Sequence, residues 1–153
     1  MSGYGRVENF KSDDHYTPKW LFDGLGLTFN VDVCAPTEGV PWIPAKTHFD
    51  IEADGLAQEW KGLVWMNPPY SKPTPWVDKF IEHGNGVALL PSTRGKWWYK
   101  IWEAADIVMP TPYNFKFERP DGHAKVIMFQ TMLFGIGEEA KEAISQLEMH
   151  RYR

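Results

Sequence analysis

Short, near-continuous apolar runs recur along the chain, and each is followed by residues spaced for a helix. Leu27 to Cys34, Leu63-Val64-Trp65-Met66, Gly86 to Leu90 and Ile107-Val108-Met109 are too short for buried helices and read as strands. Strands buried on both faces belong to parallel sheets, which need helical crossovers. The crossovers have their own punctuation. Thr17-Pro18 offers an N-cap with proline at the first helical position, Trp20, Leu21 and Leu25 form an apolar stripe, and Gly24-Leu25-Gly26 ends it. Thr74-Pro75 repeats the signal, with Val77, Phe80 and Ile81 on the apolar face and Gly84 as the stop. Trp97 to Ala105 predicts a third helix, and Glu138 to Met149 a fourth with Ala140, Ile144 and Leu147 on one side. The expected fold class is α/β, with a mostly parallel sheet.

Other segments carry weaker signals. Pro36 to Pro44 is an irregular, proline-rich connection, Thr47 to Ile51 a weak strand, and Leu56 to Trp60 a helical turn after Asp54-Gly55. Asn114 to Glu118 and Ala124 to Phe134 flank Arg119-Pro120-Asp121-Gly122, which predicts an antiparallel hairpin at the sheet edge. Met1 to Asp14 is polar and expected to be flexible. A length of 153 residues with 43% hydrophobic content suits a single domain, 1–153. Cys34, the lone cysteine, can form neither an internal disulfide nor a multi-thiolate zinc site, and the five histidines never fall at zinc-ligand spacing, so no metal is expected. With no signal-like start and no long apolar run, a soluble cytoplasmic protein without membrane contact is expected. A net charge of -4 gives no global basic field, so nucleic-acid binding must rest on local positive patches and on the heavy aromatic load of 8 Trp, 6 Tyr and 9 Phe.

Asn67-Pro68-Pro69-Tyr70 follows the strand at Leu63 to Met66 and carries the chemistry. In open α/β sheets, ligands lie beyond the carboxyl ends of the strands. Two consecutive prolines remove two backbone donors and stiffen the turn, leaving carbonyl oxygens as acceptors, and the Asn67 side-chain oxygen is another. Together they suit the two hydrogens of an exocyclic NH₂ group, with Tyr70 as a face for a base to stack on. An amino group held in this way is what methyl transfer from S-adenosylmethionine requires, because alignment and dipoles suffice without a nucleophile or metal. A paired base must be extruded from the duplex first, and Tyr70, Trp76 and Phe117 are candidate stacking partners. The bland alternative is a turn that only changes chain direction.

From His15 to Gly135 the chain resembles the phage DNA N-6-adenine methyltransferases, the Dam-type phage methylases. The resemblance lies in Tyr16-Thr17-Pro18-Lys19-Trp20-Leu21-Phe22, Phe29-Asn30-Val31-Asp32-Val33-Cys34-Ala35, Asp54-Gly55-Leu56, Trp65-Met66-Asn67-Pro68-Pro69-Tyr70-Ser71, Leu90-Pro91-Ser92-Thr93 and the stretch from Phe115 to Gly135. It implies a compact Rossmann-like S-adenosylmethionine-dependent methyltransferase that modifies adenine N6 in DNA. A phage or prophage origin and a role in shielding DNA from host nucleases, as in restriction-modification, come with it. By the same resemblance, Asn67, Pro68, Pro69 and Tyr70 are catalytic. Thr17, Pro18, Asp32, Cys34, Ala35 and Asp54 bind cofactor, with Thr17-Pro18 closing over it. The acid followed by G-x-G that many methyltransferases carry after the first strand is absent here, and Gly24 and Gly26 precede that strand. For Asp32 and Asp54 a surface or turn role therefore stands beside the ligand role.

Arg94-Gly95-Lys96-Trp97-Trp98-Tyr99-Lys100 joins three positive charges to three aromatics, which makes Arg94, Lys96 and Trp97 candidates for DNA contact, with Arg119 a further one. The alternative is a helix whose Trp97, Ile101 and Trp102 face the core. Once a catalytic sheet is built, 153 residues leave no room for a separate target-recognition domain, so loops must read the target. The rivals are methylation of a glutamine amide or an RNA base, and a non-catalytic DNA-binding protein that retains the fold.

Overall fold

In the computed structural model, which describes residues 16–36, 39–112, 115–118, 124–126 and 130–147, Phe29–Asp32 forms strand β1. It pairs in parallel with Ala45–His48 (β2) on one side and with Val64–Met66 (β3) on the other. Gly86–Pro91 (β4) continues the sheet in parallel beside β3. Ile107–Pro110 (β5) lies at the far edge, and Thr131–Ile136 (β8) runs antiparallel between β4 and β5. The sheet order is β2-β1-β3-β4-β8-β5. Lys116–Glu118 (β6) and Ala124–Val126 (β7) form a separate two-stranded antiparallel ribbon.

Alternating strand residues feed two cores, one on each face of the sheet. Phe29, Trp65, Val87, Leu89 and Leu133 pack with Leu21, Phe22 and Leu25 of helix α1 (Lys19–Leu25) and with Ala140, Ala143 and Ile144 of helix α4 (Glu138–Ser145). Val31, Val64, Met66, Ala88, Leu90 and Phe134 face the other way, onto Val77 and Phe80 of helix α2 (Thr74–His83) and Trp98 and Ile101 of helix α3 (Lys96–Ala104). Both faces are thus covered by helices, which is why the strands read as unbroken apolar runs.

The expected helices form with small shifts. Pro18 rather than Thr17 occupies the N-cap of α1, without a side-chain cap, and Gly26 takes the left-handed C-cap position. Gly84 ends α2 in the same way. The weak strand predicted over Thr47 to Ile51 forms instead at Ala45–His48, and the expected helical turn at Leu56 to Trp60 is a 3₁₀ turn at Gly55–Ala57. The largest correction concerns Ala124 to Phe134. It is not one arm of an edge hairpin: β7 pairs with β6, while β8 enters the interior of the main sheet. The apolar residues of β8 are buried on both faces, as in a central strand. The turn at 119–122 and the stretch 1–14 lie outside the described residues.

Candidate active site

After β1 the chain moves to β2 on one side and returns to β3 on the other, so the carboxyl ends of β1 and β3 flank a topological switch point. A cavity of about 450 Å³ opens there. Three stretches line it: Tyr16 and Thr17 ahead of α1; residues between Asp32 and Gly55; and Trp65, Asn67, Pro69 and Trp76 from β3 onward. That volume is in the range of small-molecule and cofactor sites.

The acidic wall follows from local backbone geometry. Asp54 has φ 58° and, among the described residues, is the one non-glycine with a positive φ. Gly55 follows it because a Cβ there would lie 2.0 Å from the Val33 carbonyl oxygen and 3.2 Å from the Trp76 ring. The Asp-Gly pair thus presses the 3₁₀ turn against the end of β1. Asp50 caps this bend, its Oδ1 accepting the Ala53 N–H at 2.9 Å. Asp32, at the end of β1, is 3% exposed and accepts the Cys34 N–H at 3.3 Å. Burial pushes its carboxyl up to about 7, and the Cys34 hydrogen bond opposes that rise. Asp32, Asp50 and Asp54 all line the cavity, and no lysine or arginine is among its described lining residues. The wall suits a ligand that carries positive charge and hydroxyl or amino donors.

Asn67 and Pro69 of the Asn-Pro-Pro-Tyr turn line the same cavity. Asn67 Nδ2 donates to Thr17 Oγ1 at 3.3 Å, which orients the amide across the cavity. Thr17 is 1% exposed, and its carbonyl accepts the Trp42 indole N–H at 2.7 Å. Tyr16 is held by two backbone hydrogen bonds with Glu118 of β6, at 2.8 and 2.9 Å. Pro69 lines the cavity and Pro68 is buried behind it. The Tyr70 hydroxyl donates to the Leu89 carbonyl at 3.2 Å, and its ring meets Phe117 edge-on at 6.3 Å. Burial raises the Tyr70 pKa well above that of a free phenol, so this donor stays protonated.

Half of the residues singled out from the sequence line this cavity, and Pro68 and Tyr70 are not among its lining residues. Thr17, Asp32, Cys34, Ala35, Asp54, Asn67, Pro69 and Trp76 share the one cavity, and Pro18 adjoins it as the N-cap of α1. Trp76 sits on the acidic side, beside Gly55 and stacked on Trp60 at 6.5 Å. Phe117 is 0% exposed and lies beneath Tyr70, so it offers no open face to a base. Arg94 and Lys96 are exposed in the loop after β4 and at the start of α3, while Trp97 is half-buried. On α3, Trp98 and Ile101 are buried and Tyr99 and Trp102 face solvent, so of the alternative inward set of Trp97, Ile101 and Trp102, Ile101 faces the core, Trp97 is half-buried and Trp102 is exposed. Arg119 lies outside the described residues. Among the described residues, no cluster of three His, Cys, Asp or Glu could hold a metal, and no helix is long and apolar enough to cross a membrane.

Sequence reasoning missed Val40, Ile43, Phe49, Asp50 and Ile51, which also line the cavity. A signal was present in the apolar residues interleaved with prolines between Pro36 and Pro44, since a purely solvent-facing loop has no use for them. Ile51 is 83% exposed at the cavity, an apolar side chain with no protein surface to cover it.

Residues 6–131 match the family described as DNA N-6-adenine-methyltransferase (Dam). Over 113 residues the chain is 32% identical to a protein of Haemophilus phage HP1 (strain HP1c1) named DNA N-6-adenine-methyltransferase; the match covers 66% of this chain and 64% of that relative's length. With the Asn-Pro-Pro-Tyr turn and the acidic wall facing one crevice, and the family match spanning most of its length, the chain belongs to the DNA N-6-adenine-methyltransferase (Dam) family.

Proposed function

We propose that the protein is a compact Rossmann-like methyltransferase, phage or prophage encoded and active in the host cytoplasm, that methylates adenine N6 in DNA with S-adenosylmethionine. The observation that carries this reading is that Asn67 lines the same cavity as Asp32 and Asp54, at the carboxyl ends of β1 and β3. When bound, S-adenosylmethionine supplies a methyl group already activated by its sulfonium.

The cavity's chemistry fits that group. Asp54, in its left-handed bend, accepts from ribose hydroxyls or the adenine amine, and Asp32 offsets the positive charge. Gly55, Ala35 and Cys34 let the ligand approach the backbone, while Ile43, Phe49, Ile51 and Trp76 supply apolar contact. From the Asn-Pro-Pro-Tyr turn, the Asn67 side-chain oxygen and a backbone carbonyl of the turn accept the two amino hydrogens of the target adenine. Thr17 holds the Asn67 amide in the required sense. Tyr70, anchored on Leu89 and backed by Phe117, presents a fixed ring to the extruded base, whose unstacking costs about a few kcal/mol. Arg94 and Lys96 face the phosphates.

The test is expression in a host lacking adenine methylation, followed by digestion of its DNA and detection of N6-methyladenine. Wild type yields the modified base; Asn67→Ala yields none, while its affinity for S-adenosylmethionine in calorimetry stays within about threefold. Absence of the modified base, or label from the cofactor appearing in RNA or protein instead, overturns the reading.

A further inference from the structure

Lys79, on helix α2, is absent from the cavity wall, yet its ammonium group reaches across to the turn that bears Asp54. Its Nζ donates to the Leu56 carbonyl at 2.8 Å and to the Gln58 carbonyl at 2.5 Å, and lies 5.3 Å from the centre of the Trp60 ring. Among the described residues, none of the ion pairs involves Lys79. A half-buried ammonium held by two carbonyls and an indole face gives up hydration without a carboxylate to compensate, so a purely apolar residue would serve packing better.

The same turn is gripped from two other positions. Gln58 Nε2 donates to the Ala53 carbonyl at 2.6 Å, and Trp60 Nε1 to the Gly55 carbonyl at 2.8 Å. Four carbonyls within residues 53–58 are therefore taken by side chains from behind the cavity wall. Asp54 sits at the bend of this turn in a left-handed conformation, which for a non-glycine residue persists only where its surroundings fix it. Of the three side chains, Lys79 alone comes from another element, and it ties the turn to the helix that follows the Asn-Pro-Pro-Tyr motif.

We propose that Lys79 is a positioning residue: by clamping the Leu56 and Gln58 carbonyls it holds Asp54 and Gly55 in the conformation that receives the nucleoside part of the cofactor. The proposal rests on the reading of this cavity as an S-adenosylmethionine site. Lys79 touches neither ligand nor target base, so its removal weakens cofactor binding without slowing the bound enzyme.

The experiment uses the full chain with Lys79→Met, Lys79→Arg and Lys79→Gln. Calorimetry with S-adenosylmethionine is expected to show an affinity loss of about tenfold for Lys79→Met, while Lys79→Arg, which keeps the charge and N–H donors but not the compact ammonium, loses less. Cofactor KM follows the same order, and kcat at saturating cofactor changes by less than about twofold. In the unliganded protein, hydrogen exchange at the Ala57 and Gln58 amides accelerates about tenfold in Lys79→Met, while amides of β3 and β4 are unchanged. Should Lys79→Met fail to fold, Lys79→Gln serves in its place, with a loss in the same direction. Wild-type binding with unaltered Lys79→Met affinity, or unaltered exchange in the turn, overturns this proposal alone. A wild-type protein that binds no S-adenosylmethionine overturns the cofactor reading as well.

Discussion

Asp32 links the site to pH through a single buried carboxyl. Its ordinary value of 3.8 applies to the unfolded chain, and burial raises it to about 7 in the native protein. Between those values the native state keeps a proton that the unfolded chain has released. The carboxyl's stabilising contribution is therefore fullest below pH 3.8, declines as pH rises toward 7, and is level above that. Asp32→Asn removes this slope. Urea denaturation across a pH series is expected to show the variant matching wild type in acid and exceeding it by roughly a few kcal/mol at pH 8. Because the carboxyl lines the cavity, a cationic ligand favours its ionised form, so S-adenosylmethionine binding near pH 6.5 should release protons in wild type and not in Asp32→Asn. Calorimetry in buffers of different ionisation enthalpy reads that difference. Gly55 gives a second test at this scale. A methyl group there would lie 2.0 Å from the Val33 carbonyl oxygen, whereas at Gly26, with φ 66°, nothing stands within 4 Å. Gly55→Ala should cost roughly 2 kcal/mol or more and cofactor affinity with it, while Gly26→Ala costs about 1 kcal/mol of backbone strain alone. Equal losses in thermal unfolding would contradict the close-approach argument.

Among the elements, the β4–α3 junction carries the charge that the molecule as a whole lacks. Arg94 and Lys96 are exposed there, and Lys100 is bridged to Asp78 at 2.7 Å on the solvent side. That bridge is about half exposed at both ends and adds under about 1 kcal/mol. If Arg94 and Lys96 contact phosphate, replacing each with Ala weakens DNA binding equally across sequences and lowers the slope of log affinity against log salt by about one. Fluorescence titration over a salt series measures it; a sequence-dependent loss would point to base contact instead. The junction could be read from sequence because strand β4 is an unbroken apolar run and its charges are adjacent. Strand β8 could not be placed in the same way. Its apolar run suits an edge or an interior strand equally, and the turn-forming residues at 119–122 suggested a local partner. Its interior position depends on β4 and β5, far away in sequence. The site divides similarly. Asn67 and Asp54 were visible as motifs, whereas Phe49, Ile51 and the clamp from Lys79 are brought in by the β1–β2 crossover and by helix α2. Phe117, a candidate stacking face by residue type, lies buried against Tyr70, since an aromatic side chain carries no mark of which side of a wall it occupies.

For the whole molecule, the cavity lies near one edge of the sheet. Strand β2 is an edge strand, largely exposed and, among the described residues, paired only with β1, and the segment joining them supplies much of the cavity wall. Tyr16 and Thr17 reach the same space from ahead of α1. A ligand that fills it touches three stretches distant in sequence at once. Binding to the native state alone stabilises by mass action, by about 2.7 kcal/mol at a hundredfold excess over the dissociation constant. For a chain of this length that corresponds to a rise of roughly 5 to 10 °C in Tm. Scanning calorimetry with S-adenosylmethionine should show this shift in wild type and in Asn67→Ala, whose cofactor wall is intact, and a much smaller one in Asp54→Ala at the same ligand concentration. Hydrogen exchange locates the effect: amides of β1 and β2 should gain protection on binding, while those of β5 and α4, on the far side of the sheet, gain only what global stabilisation provides. A shift lost in Asn67→Ala but retained in Asp54→Ala would reverse the assignment of the two walls, since the ligand would then be held by the residues assigned to the target base.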